Sequence, residues 1–382
     1  MKLRVGLVFG GRSVEHEVSV SSARSILGAL DRERYDVSVV EVDRSGHWHL
    51  RDADHFETDQ LGKGQEVTLA PVPGGATLFP LSAAALSGSP DPAIALDVIF
   101  PIIHGRGGED GALQGLLELK DIAYVGSGVL GSAVQMDKDI AKKLLAHAGI
   151  PVLPWLSFRR HELEGQGIQL AVEAVAESLA YPVFVKPANS GSSVGINKAR
   201  NADELISGLR EAMAHDDKLI VERGIEAREI EVAVLGDTSP EASVPGEILP
   251  SHEFYDYAAK YLDDATELLI PAPLSEEESR SLRQVALKAF RTVEAAGLAR
   301  VDFLMDRATG KAYVNELNSL PGFTDGSMYS RLWEATGVPY PKLLDRLIDL
   351  SLERHQSQSR WQRSSRLDAP DSTGRHSSRR KS

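Results

Sequence analysis

Cysteine is absent from the 382-residue chain. Its absence excludes disulfide bridges, thiolate zinc sites and a cysteine nucleophile, and it favours a reducing compartment such as the cytoplasm. The chain also lacks any apolar run close to the roughly 20 residues that a membrane-spanning helix needs. The apolar run at the N-terminus is too short and too interrupted by glycine for a signal peptide. We therefore expect a cytoplasmic protein without a membrane partner.

Positive charge is also in short supply. The chain has 42 Lys and Arg against 55 Asp and Glu, a formal net charge of -13. Because a nucleic-acid backbone requires a basic surface, this balance argues against nucleic acid as a partner. The hydrophobic fraction of 42% is that of an ordinary globular protein. The length is sufficient for two or three domains with separate cores.

The N-terminal segment has the pattern of a βαβ unit. Residues 3–9 form a continuous apolar run that ends in a glycine pair, and we predict a helix over about 14–30 and a strand over 35–42. Ligands of open α/β sheets bind beyond the carboxyl ends of the strands, which is where Glu15 lies. The Glu15 carboxylate either stabilises the helix dipole or contacts a substrate.

A glycine-rich turn follows the next predicted buried strand. Residues 44–92 are predicted to be peripheral loops with a weak strand pattern at 66–69, and residues 95–103 form a strand that ends in His104. The HGRGGEDG sequence fails as a dinucleotide fingerprint, because it does not follow the first strand and lacks an acidic ribose ligand at the expected distance. A nicotinamide enzyme is therefore disfavoured. His104 is either a buried, hydrogen-bonded histidine or a ligand of an anionic group.

The middle of the chain has features of a phosphate site. Lys186 interrupts the apolar strand 181–187, where a lysine needs an anionic partner. The small-residue loop 189–195 is either a phosphate cradle or an ordinary turn, and it is not a Walker A loop. Glu222 and Glu229 flank a short connection between two predicted strands. Acids in that position either accept hydrogen bonds from an adenine amino group or a ribose hydroxyl, or are simply exposed.

The tyrosine-rich segment 249–266 has neither helix nor strand periodicity. It is either a lid over an active site or a loop held by its own aromatic cluster. A helix over 275–296 and a helix pair or one long helix over 332–352 are predicted to follow. From about residue 353 the composition is that of a disordered basic tail.

The most informative stretch is a predicted β-hairpin over residues 299–318. Side-chain alternation places Arg300 and Asp302 on one face of the first strand, and Glu316 and Asn318 on one face of the second. If these faces are neighbours, two carboxylates and an amide oxygen converge, a set that suits Mg²⁺ together with substrate phosphates. Arg300 would then face the phosphoryl group. The alternative is a solvated hairpin face with ordinary surface charges.

Seven short motifs make the chain resemble the ATP-grasp ligases, and within them the D-alanine–D-alanine ligase family. In chain order they are FGGRSVEHEVS, HGRGGEDG, MDK, VKPANSGSSVG, EFYDYAAKY, ARVDF and NELNSLPGFTDGSM. The resemblance covers residues 3–352 and implies an α/β and α+β protein, with an N-terminal open α/β domain followed by a two-part ATP-grasp fold. The implied domains are 1–125, 126–216 and 217–352 with the lid at 249–266, and a disordered basic tail at 353–382.

The resemblance implies ATP-driven ligation in peptidoglycan precursor synthesis. The carboxylate of one D-alanine attacks the γ-phosphate of ATP to form an acylphosphate, and the amine of a second D-alanine then displaces phosphate. The implied cofactors are ATP and two Mg²⁺ (or Mn²⁺) ions, and the implied assembly is a homodimer.

The resemblance also implies a role for each matching residue. The catalytic set would be Glu15, Ser192, Tyr261, Arg300 and the N–H of Gly322. The two alanines would contact His104, Ser327 and Met328. ATP would be bound by Lys138, Lys186, Gly191, Ser193, Val194, Glu222, Glu229 and Lys260. The metal ligands would be Asp302, Glu316 and Asn318.

Three points qualify the resemblance. The family usually has Asn-Thr before the Leu-Pro-Gly turn, whereas this chain has Asn318-Ser319; the hydroxyl is kept, so we expect little change. Another ATP-grasp carboxylate–amine ligase, such as one that forms D-alanyl-D-lactate, is the nearest alternative, although the intact EFYDYAAKY sequence favours the dipeptide. A non-catalytic nucleotide-binding regulator is a further alternative, but it would not need both metal carboxylates and Arg300.

Overall fold

The computed structural model describes residues 1–53, 56, 64–70, 76–81, 93–249 and 267–359. Within these ranges the chain builds three β-sheets in succession, and helices pack on their faces. None of the described helices is long and apolar enough to span a membrane. The predicted class, an open α/β unit followed by α+β units, is therefore observed.

The first sheet occupies the N-terminal third of the chain. Its elements are β1 (Leu3–Gly10), α1 (His16–Ala29), β2 (Tyr35–Val42), β3 (Trp48–Arg51), β4 (Gln65–Leu69), β5 (Ala76–Pro80), β6 (Ile94–Leu96), β7 (Val98–Ile102), α2 (Ala112–Lys120), β8 (Ala123–Tyr124) and α3 (Val129–Met136). The strand order is β6-β5-β4-β3-β2-β1-β7-β8. Strands β2, β1, β7 and β8 are parallel, so their carboxyl ends meet at one edge, as the βαβ pattern predicts.

Two predictions for this sheet were wrong in part. The segment 44–92 was predicted as loops with a weak strand pattern at 66–69. That pattern is confirmed by β4, but the segment also contributes the antiparallel strands β3 and β5, and Val67, Leu69 and Leu78 extend the buried core. The alternation in β3 and β5 is too brief to be recognised. The single strand predicted over 95–103 is broken at Asp97, whose carboxylate accepts hydrogen bonds from Arg4 N at 2.9 Å and Arg4 Nε at 3.0 Å.

The second sheet is small and antiparallel, with the order β11-β10-β12-β9. Its elements are α4 (Lys138–His147), β9 (Trp155–Arg159), a 3₁₀ turn (Arg160–Leu163), α5 (Gly167–Ser178), β10 (Val183–Pro187), β11 (Asn197–Ala199), α6 (Ala202–Ala212) and β12 (Lys218–Arg223). Helix α4 begins after Asp137, whose carboxylate accepts from the N–H groups of Asp139 and Ile140. The Asp137 carboxylate also accepts from Lys218 Nζ at 2.8 Å, which ties α4 to β12.

The third sheet contains the predicted hairpin. Its elements are β13 (Ala227–Gly236), β14 (Glu241–Ala242), β15 (Gly246–Leu249), β16 (Glu267–Leu269), α7 (Glu276–Thr292), β17 (Gly297–Asp306), β18 (Ala312–Asn318), α8 (Met328–Ala335) and α9 (Tyr340–Ser359). The order is β16-β15-β13-β17-β18, with β14 paired to β13. Helix α7 starts at its predicted N-terminal end with a capping box, in which the Ser275 hydroxyl and the Glu278 carboxylate satisfy each other's N–H groups.

The third sheet packs on the first through the turn after β18 and the last two helices. Phe323 and Trp333 share one buried core with Phe9 and Phe100, and the Phe100 and Phe323 ring centroids are 6.0 Å apart. Helix α9 continues past the predicted start of the tail at residue 353, because Arg354 Nη2 donates to the carbonyl of Tyr124 at 2.7 Å. The tail prediction was therefore wrong for residues 353–359, and residues 360–382 lie outside the described part.

Candidate active site

Two neighbouring cavities lie where the three sheets meet. The first, the sheet cavity, has a volume of about 160 Å³ and lies between the second and third sheets. The second, the turn cavity, has a volume of about 470 Å³ and lies between α1, the glycine-rich turn of the first sheet and the turn after β18. Glu231 lines both cavities, so they are adjacent.

These cavities gather most of the predicted site residues. The sheet cavity is lined by Lys186, Ser193, Glu222, Glu229, Asp302 and Glu316. The turn cavity is lined by Glu15, His104, Gly191, Ser192, Arg300, Asn318, Gly322, Ser327 and Met328. Lys138 reaches Glu316, whereas Val194 lines a third cavity, on the outer side of the 189–195 loop. Lys260, Tyr261 and the rest of the predicted lid up to residue 266 lie outside the described residues.

The hairpin brings its polar side chains together. In the β17–β18 register Arg300 is opposite Asn318 and Asp302 is opposite Glu316. Asn318 Nδ2 donates to Asp302 Oδ2 at 2.8 Å, and Glu316 Oε2 lies 3.2 Å from Lys138 Nζ. The reading of this stretch as a solvated hairpin face is therefore wrong, because the four side chains line the two adjacent cavities.

Arg300 is held by two carboxylates. Its Nε and Nη2 atoms each lie 2.7 Å from an oxygen of Asp302, a bidentate pair. Its Nε is also 2.9 Å from Glu231 Oε2. Glu231 is opposite Asp302 in the β13–β17 register and is buried. Glu231 was missed by the sequence reading, although its spacing of two from Glu229 on one strand could have identified it.

The donor set suits a hard metal ion. In the described part of the chain, no three His, Cys, Asp or Glu side chains are grouped to hold a metal. The predicted ligands are instead two carboxylates and one amide, and Mg²⁺ usually takes one or two carboxylates together with substrate phosphates. Asp302 and Glu316 are each paired with a cation already, Arg300 and Lys138 respectively, so both carboxylates lie where positive charge is accommodated.

The lysine predicted to need an anionic partner has one. Lys186 Nζ lies 2.6 Å from Glu222 Oε2 and 3.1 Å from Asn315 Oδ1. Burial alone would lower the pKa of Lys186, but the Glu222 charge outweighs it and the pKa is raised. Burial would likewise raise the pKa of Glu222, yet the two lysines Lys142 and Lys186 lower it. The reading of Glu222 as a merely exposed acid is therefore wrong.

The small-residue loop 189–195 closes the other side of the site. Ser192 and Ser193 have positive φ values of 47° and 58°, so the backbone there folds tightly. The Ser192 hydroxyl donates to Glu15 Oε1, and a Cβ on Gly191 would lie 2.7 Å from Glu15 Oε2. Glycine at 191 therefore permits the loop to approach Glu15. Lys138 Nζ donates to the carbonyl of Ser190 at 2.7 Å, and this hydrogen bond joins helix α4 to the loop.

Glu15 lies at the N-terminal end of α1 and makes no side-chain capping hydrogen bond to that helix. Its carboxylate instead faces the loop and the turn cavity. Between the two readings of Glu15, this geometry favours a contact in the site over helix capping.

The turn cavity is bordered by His104 and Glu109. His104 Nδ1 is 2.9 Å from the carbonyl of Leu320, and burial lowers the pKa of its ring. The Glu109 carboxylate accepts from Gly105 N at 2.7 Å, Leu320 N at 2.9 Å and Ser319 Oγ at 3.2 Å. Burial, followed by the charge of Glu15, raises the pKa of Glu109 to about 7. Glu109 was also missed, and it joins the HGRGGEDG turn to the turn after β18.

The far wall of the turn cavity is the start of α8. Ser327 occupies the N-cap position, and its Oγ accepts from Thr324 N at 3.0 Å instead of capping the helix. Met328 is the first helical residue, so its N–H is one of the groups without an intrahelical partner. Gly322 lies close by, and a Cβ there would be 3.4 Å from Ser327 Oγ. Hydroxyl and N–H donors therefore converge where an anionic group could bind.

The antiparallel second sheet faces the third sheet across a cleft lined by lysines and carboxylates, and both sheets follow an open α/β unit. This arrangement defines an ATP-grasp ligase. Two family models match the chain, D-ala D-ala ligase N-terminus over residues 4–127 and D-ala D-ala ligase C-terminus over residues 144–349. The chain belongs to the D-alanine–D-alanine ligase family.

Individual relatives agree with the family models. A D-alanine–D-alanine ligase of Heliobacterium modesticaldum is 48% identical over 362 residues, which are 94% of this chain and 97% of the relative. The solved D-alanine–D-alanine ligase of Coxiella burnetii is 37% identical with a TM-score of 0.79, and the match covers 94% of this chain and 96% of that one. The VanG D-Ala:D-Ser ligase of Enterococcus faecalis is 30% identical with a TM-score of 0.80, over 92% of this chain and 100% of that one.

Proposed function

We propose that the protein joins two molecules of D-alanine to D-alanyl-D-alanine at the expense of ATP, in peptidoglycan precursor synthesis. The observation that carries the proposal is the adjacency of the two cavities. One contains lysines and acids suited to a nucleotide, and the other contains Glu15, Arg300 and the turn that bears Gly322. A ligase needs this arrangement because the phosphoryl group must pass from one bound substrate to another.

The first half-reaction transfers the phosphoryl group. A carboxylate oxygen of the first D-alanine attacks the γ-phosphorus, the bond to the β-phosphate oxygen breaks, and an acylphosphate and ADP result. Lys138, Lys186 and Lys260 would neutralise phosphate charge, and the backbone at Gly191, Ser193 and Val194 would cover it. Asp302, Glu316 and Asn318 would hold Mg²⁺, which supplies charge neutralisation on the phosphates when bound.

The second half-reaction forms the peptide bond. The amine of the second D-alanine attacks the acyl carbon, loses a proton and expels phosphate. Arg300 and the Gly322 N–H would stabilise the oxyanion of the tetrahedral intermediate. Glu15 would bind the ammonium of the first D-alanine within a hydrogen-bonded set that includes Ser192 and Tyr261. The other contacts in the proposal are His104 with the first substrate, Ser327 and Met328 with the second carboxylate, and Glu222 and Glu229 with adenine and ribose.

The same proposal includes the metal content, assembly, location and domain boundaries of the protein. We propose that each site binds two Mg²⁺ or Mn²⁺ ions, that the protein is a homodimer, and that it acts in the cytoplasm, where ATP is available. We also propose that its domains divide near residues 125 and 216. The change from the first to the second sheet between β8 and β9 supports the first division, and the change to the third sheet after β12 supports the second.

The test is phosphate release coupled to product identification. We expect phosphate to be released from ATP only when D-alanine and Mg²⁺ are both present, with D-alanyl-D-alanine and ADP as products in equal amounts. Release with L-alanine alone, or none with D-alanine, would contradict the proposal. ATP binding without turnover under any amino acid would instead support the non-catalytic regulator.

The similarity to a D-Ala:D-Ser ligase supports a second candidate, in which the second substrate is not D-alanine. Competition of D-alanine with D-serine and with D-lactate across pH separates the possibilities. We expect the dipeptide D-alanyl-D-alanine to dominate at every pH. A dominant mixed product would favour the second candidate.

A further inference from the structure

Lys142 is a buried lysine with no role in the proposed reaction. Burial lowers the pKa of its ammonium group, and the charge of Glu222 opposes that shift. Lys142 lies on α4, and its side chain is 1% exposed. It forms an ion pair with Glu222 Oε1, and it does not line the sheet cavity. Its neighbour Lys143 is by contrast 55% exposed and pairs with Asp139. Burying a lysine costs free energy unless an anion pairs with it, and the anion here is Glu222. The pair therefore points to an effect of Lys142 on Glu222.

Glu222 is held by two lysines, one at each oxygen. Lys142 contacts Oε1, and Lys186 Nζ lies 2.6 Å from Oε2. Lys186 and Glu222 line the cavity, whereas Lys142 lies behind Glu222. A ligand in the sheet cavity can therefore contact Lys186 but cannot contact Lys142.

Aromatic side chains keep water away from this carboxylate. Glu222 is opposite Trp155 in the β12–β9 register and opposite Phe184 in the β10–β12 register, so both rings flank it on the same face. Lys142 Nζ lies 5.8 Å from the centroid of the Trp155 ring. Glu222 itself is 1% exposed, and within the described residues Lys142 and Lys186 are the cations that contact its carboxylate.

Nucleotide binding would weaken the interaction of Lys186 with Glu222 and leave that of Lys142 with Glu222 in place. A phosphate group that attracts Lys186 competes with Glu222 for the same cation. If Lys186 were the only partner, Glu222 would lose its counter-ion as the nucleotide arrived. A carboxylate left alone in so dry a place becomes protonated or turns away, and it then no longer accepts a hydrogen bond from an adenine amino group.

We propose that Lys142 is a positioning residue that keeps Glu222 ionised and oriented, so that Lys186 can leave it for the phosphates of the nucleotide. The inference rests on the proposed function, because it needs a nucleotide in the sheet cavity. Lys142 itself touches no substrate, and its effect passes through Glu222.

The test is direct binding of ADP and of IDP by calorimetry, without D-alanine, to the full-length protein. We expect Lys142→Met to weaken ADP binding about tenfold or more, since hydrogen bonds to a charged acceptor carry that difference. IDP lacks the amino group, so its affinity should change less and the preference for ADP should shrink. The exposed neighbour provides the control, and Lys143→Met should bind ADP within about twofold of wild type.

Two further measurements separate positioning from a loss of stability. Lys142→Arg keeps the charge and should restore most of the ADP affinity. In steady state Lys142→Met should raise the KM for ATP and leave the KM for D-alanine within about twofold of wild type. A general loss of structure would change both KM values.

A double variant covers the case in which Lys142→Met does not fold. Removing both ends of the buried pair avoids an unpaired charge, so Lys142→Met/Glu222→Gln should fold and bind ADP as well as Glu222→Gln alone. An undiminished effect of Lys142→Met in the Glu222→Gln background would overturn the inference, as would ADP binding by a folded Lys142→Met at wild-type strength. If wild type bound no ADP, the proposed function itself would fail instead.

Discussion

The two cavities hold their charges in different ways. At the sheet cavity the lysines lie on a strand and a helix, and each is paired with an acid that lines the cavity, Lys186 with Glu222 and Lys138 with Glu316. In the turn cavity the contacts cross between sheets and depend on loops, as in the pairs Glu15 with Ser192 and Glu109 with Leu320. The ion pairs of the sheet cavity place charged groups where a ligand can bind them. The hydrogen bonds of the turn cavity position backbone groups.

This difference between the cavities predicts which property of the enzyme a substitution in each of them should change. Charge removed from the sheet cavity should weaken phosphate and metal binding directly, because it leaves a buried partner of opposite charge without its ion pair. A hydrogen bond removed from the turn cavity should shift a loop and act on orientation.

The largest effect is expected from Glu316→Gln. The amide cannot hold a metal ion as a carboxylate does, and it leaves Lys138 without its 3.2 Å partner. We expect turnover to fall roughly 100-fold or more, as for other losses of a preorganised charge at a reacting group. Phosphate release under saturating ATP measures it, and the exposed Glu334→Gln serves as the control. Near-normal turnover would remove Glu316 from the metal site.

Arg300→Lys should have the next largest effect. Lysine keeps the charge but cannot form the bidentate pair with Asp302 while also contacting Glu231. We expect kcat to fall about tenfold to 100-fold with little change in the KM for ATP. The surface substitution Arg331→Lys should leave both constants unchanged. A loss confined to the KM for ATP would place Arg300 in nucleotide binding instead.

Glu109→Gln should change the dependence of stability on pH. The folded-state pKa of about 7 lies above the ordinary value of 4.5, so the protonated acid favours folding. That contribution is complete below about pH 4.5 and is lost as the pH rises through 7. Because Glu109 is only half-buried, we expect an effect of about 1 to 2 kcal/mol.

Urea unfolding at a series of pH values checks this prediction. Between pH 4.5 and 7 the unfolding free energy of Glu109→Gln should fall less steeply than that of wild type. Equal slopes would mean that Glu109 does not titrate in this range. The exposed Glu118, which bonds to Tyr124 away from both cavities, provides the matched Glu118→Gln control.

The smallest effect is expected from Ser319→Thr. The substitution restores the residue that the family usually has and keeps the hydroxyl that donates to Glu109 Oε1 at 3.2 Å. Ser319 is buried, so the added methyl group must find space, but we expect kcat and both KM values to stay within about twofold. A larger loss would show that the turn after β18 is packed differently from the family pattern.

Local pattern was sufficient for the regular elements with strong periodicity. Strand β2 matches its predicted bounds, helix α7 starts where its predicted range begins, and the hairpin face that carries Asp302 and Glu316 was identified from alternation alone. The short strands β3 and β5, inside the first sheet, were missed because four or five residues carry too little periodicity against a background of glycine and proline. The end of α9 was missed because a contact with the first sheet, and not its own sequence, extends it.

The sequence by itself determined the chemistry of this protein, since the order of its motifs identifies the family and their acids and lysines define the kinds of ligand. Only the tertiary structure decided which of those groups meet. Glu109 reaches the turn at Leu320, and Lys142 reaches Glu222, across distances along the chain that no local pattern encodes. The reason is physical: a buried charge is tolerated only where folding brings its partner, and the partner's position depends on how the sheets pack.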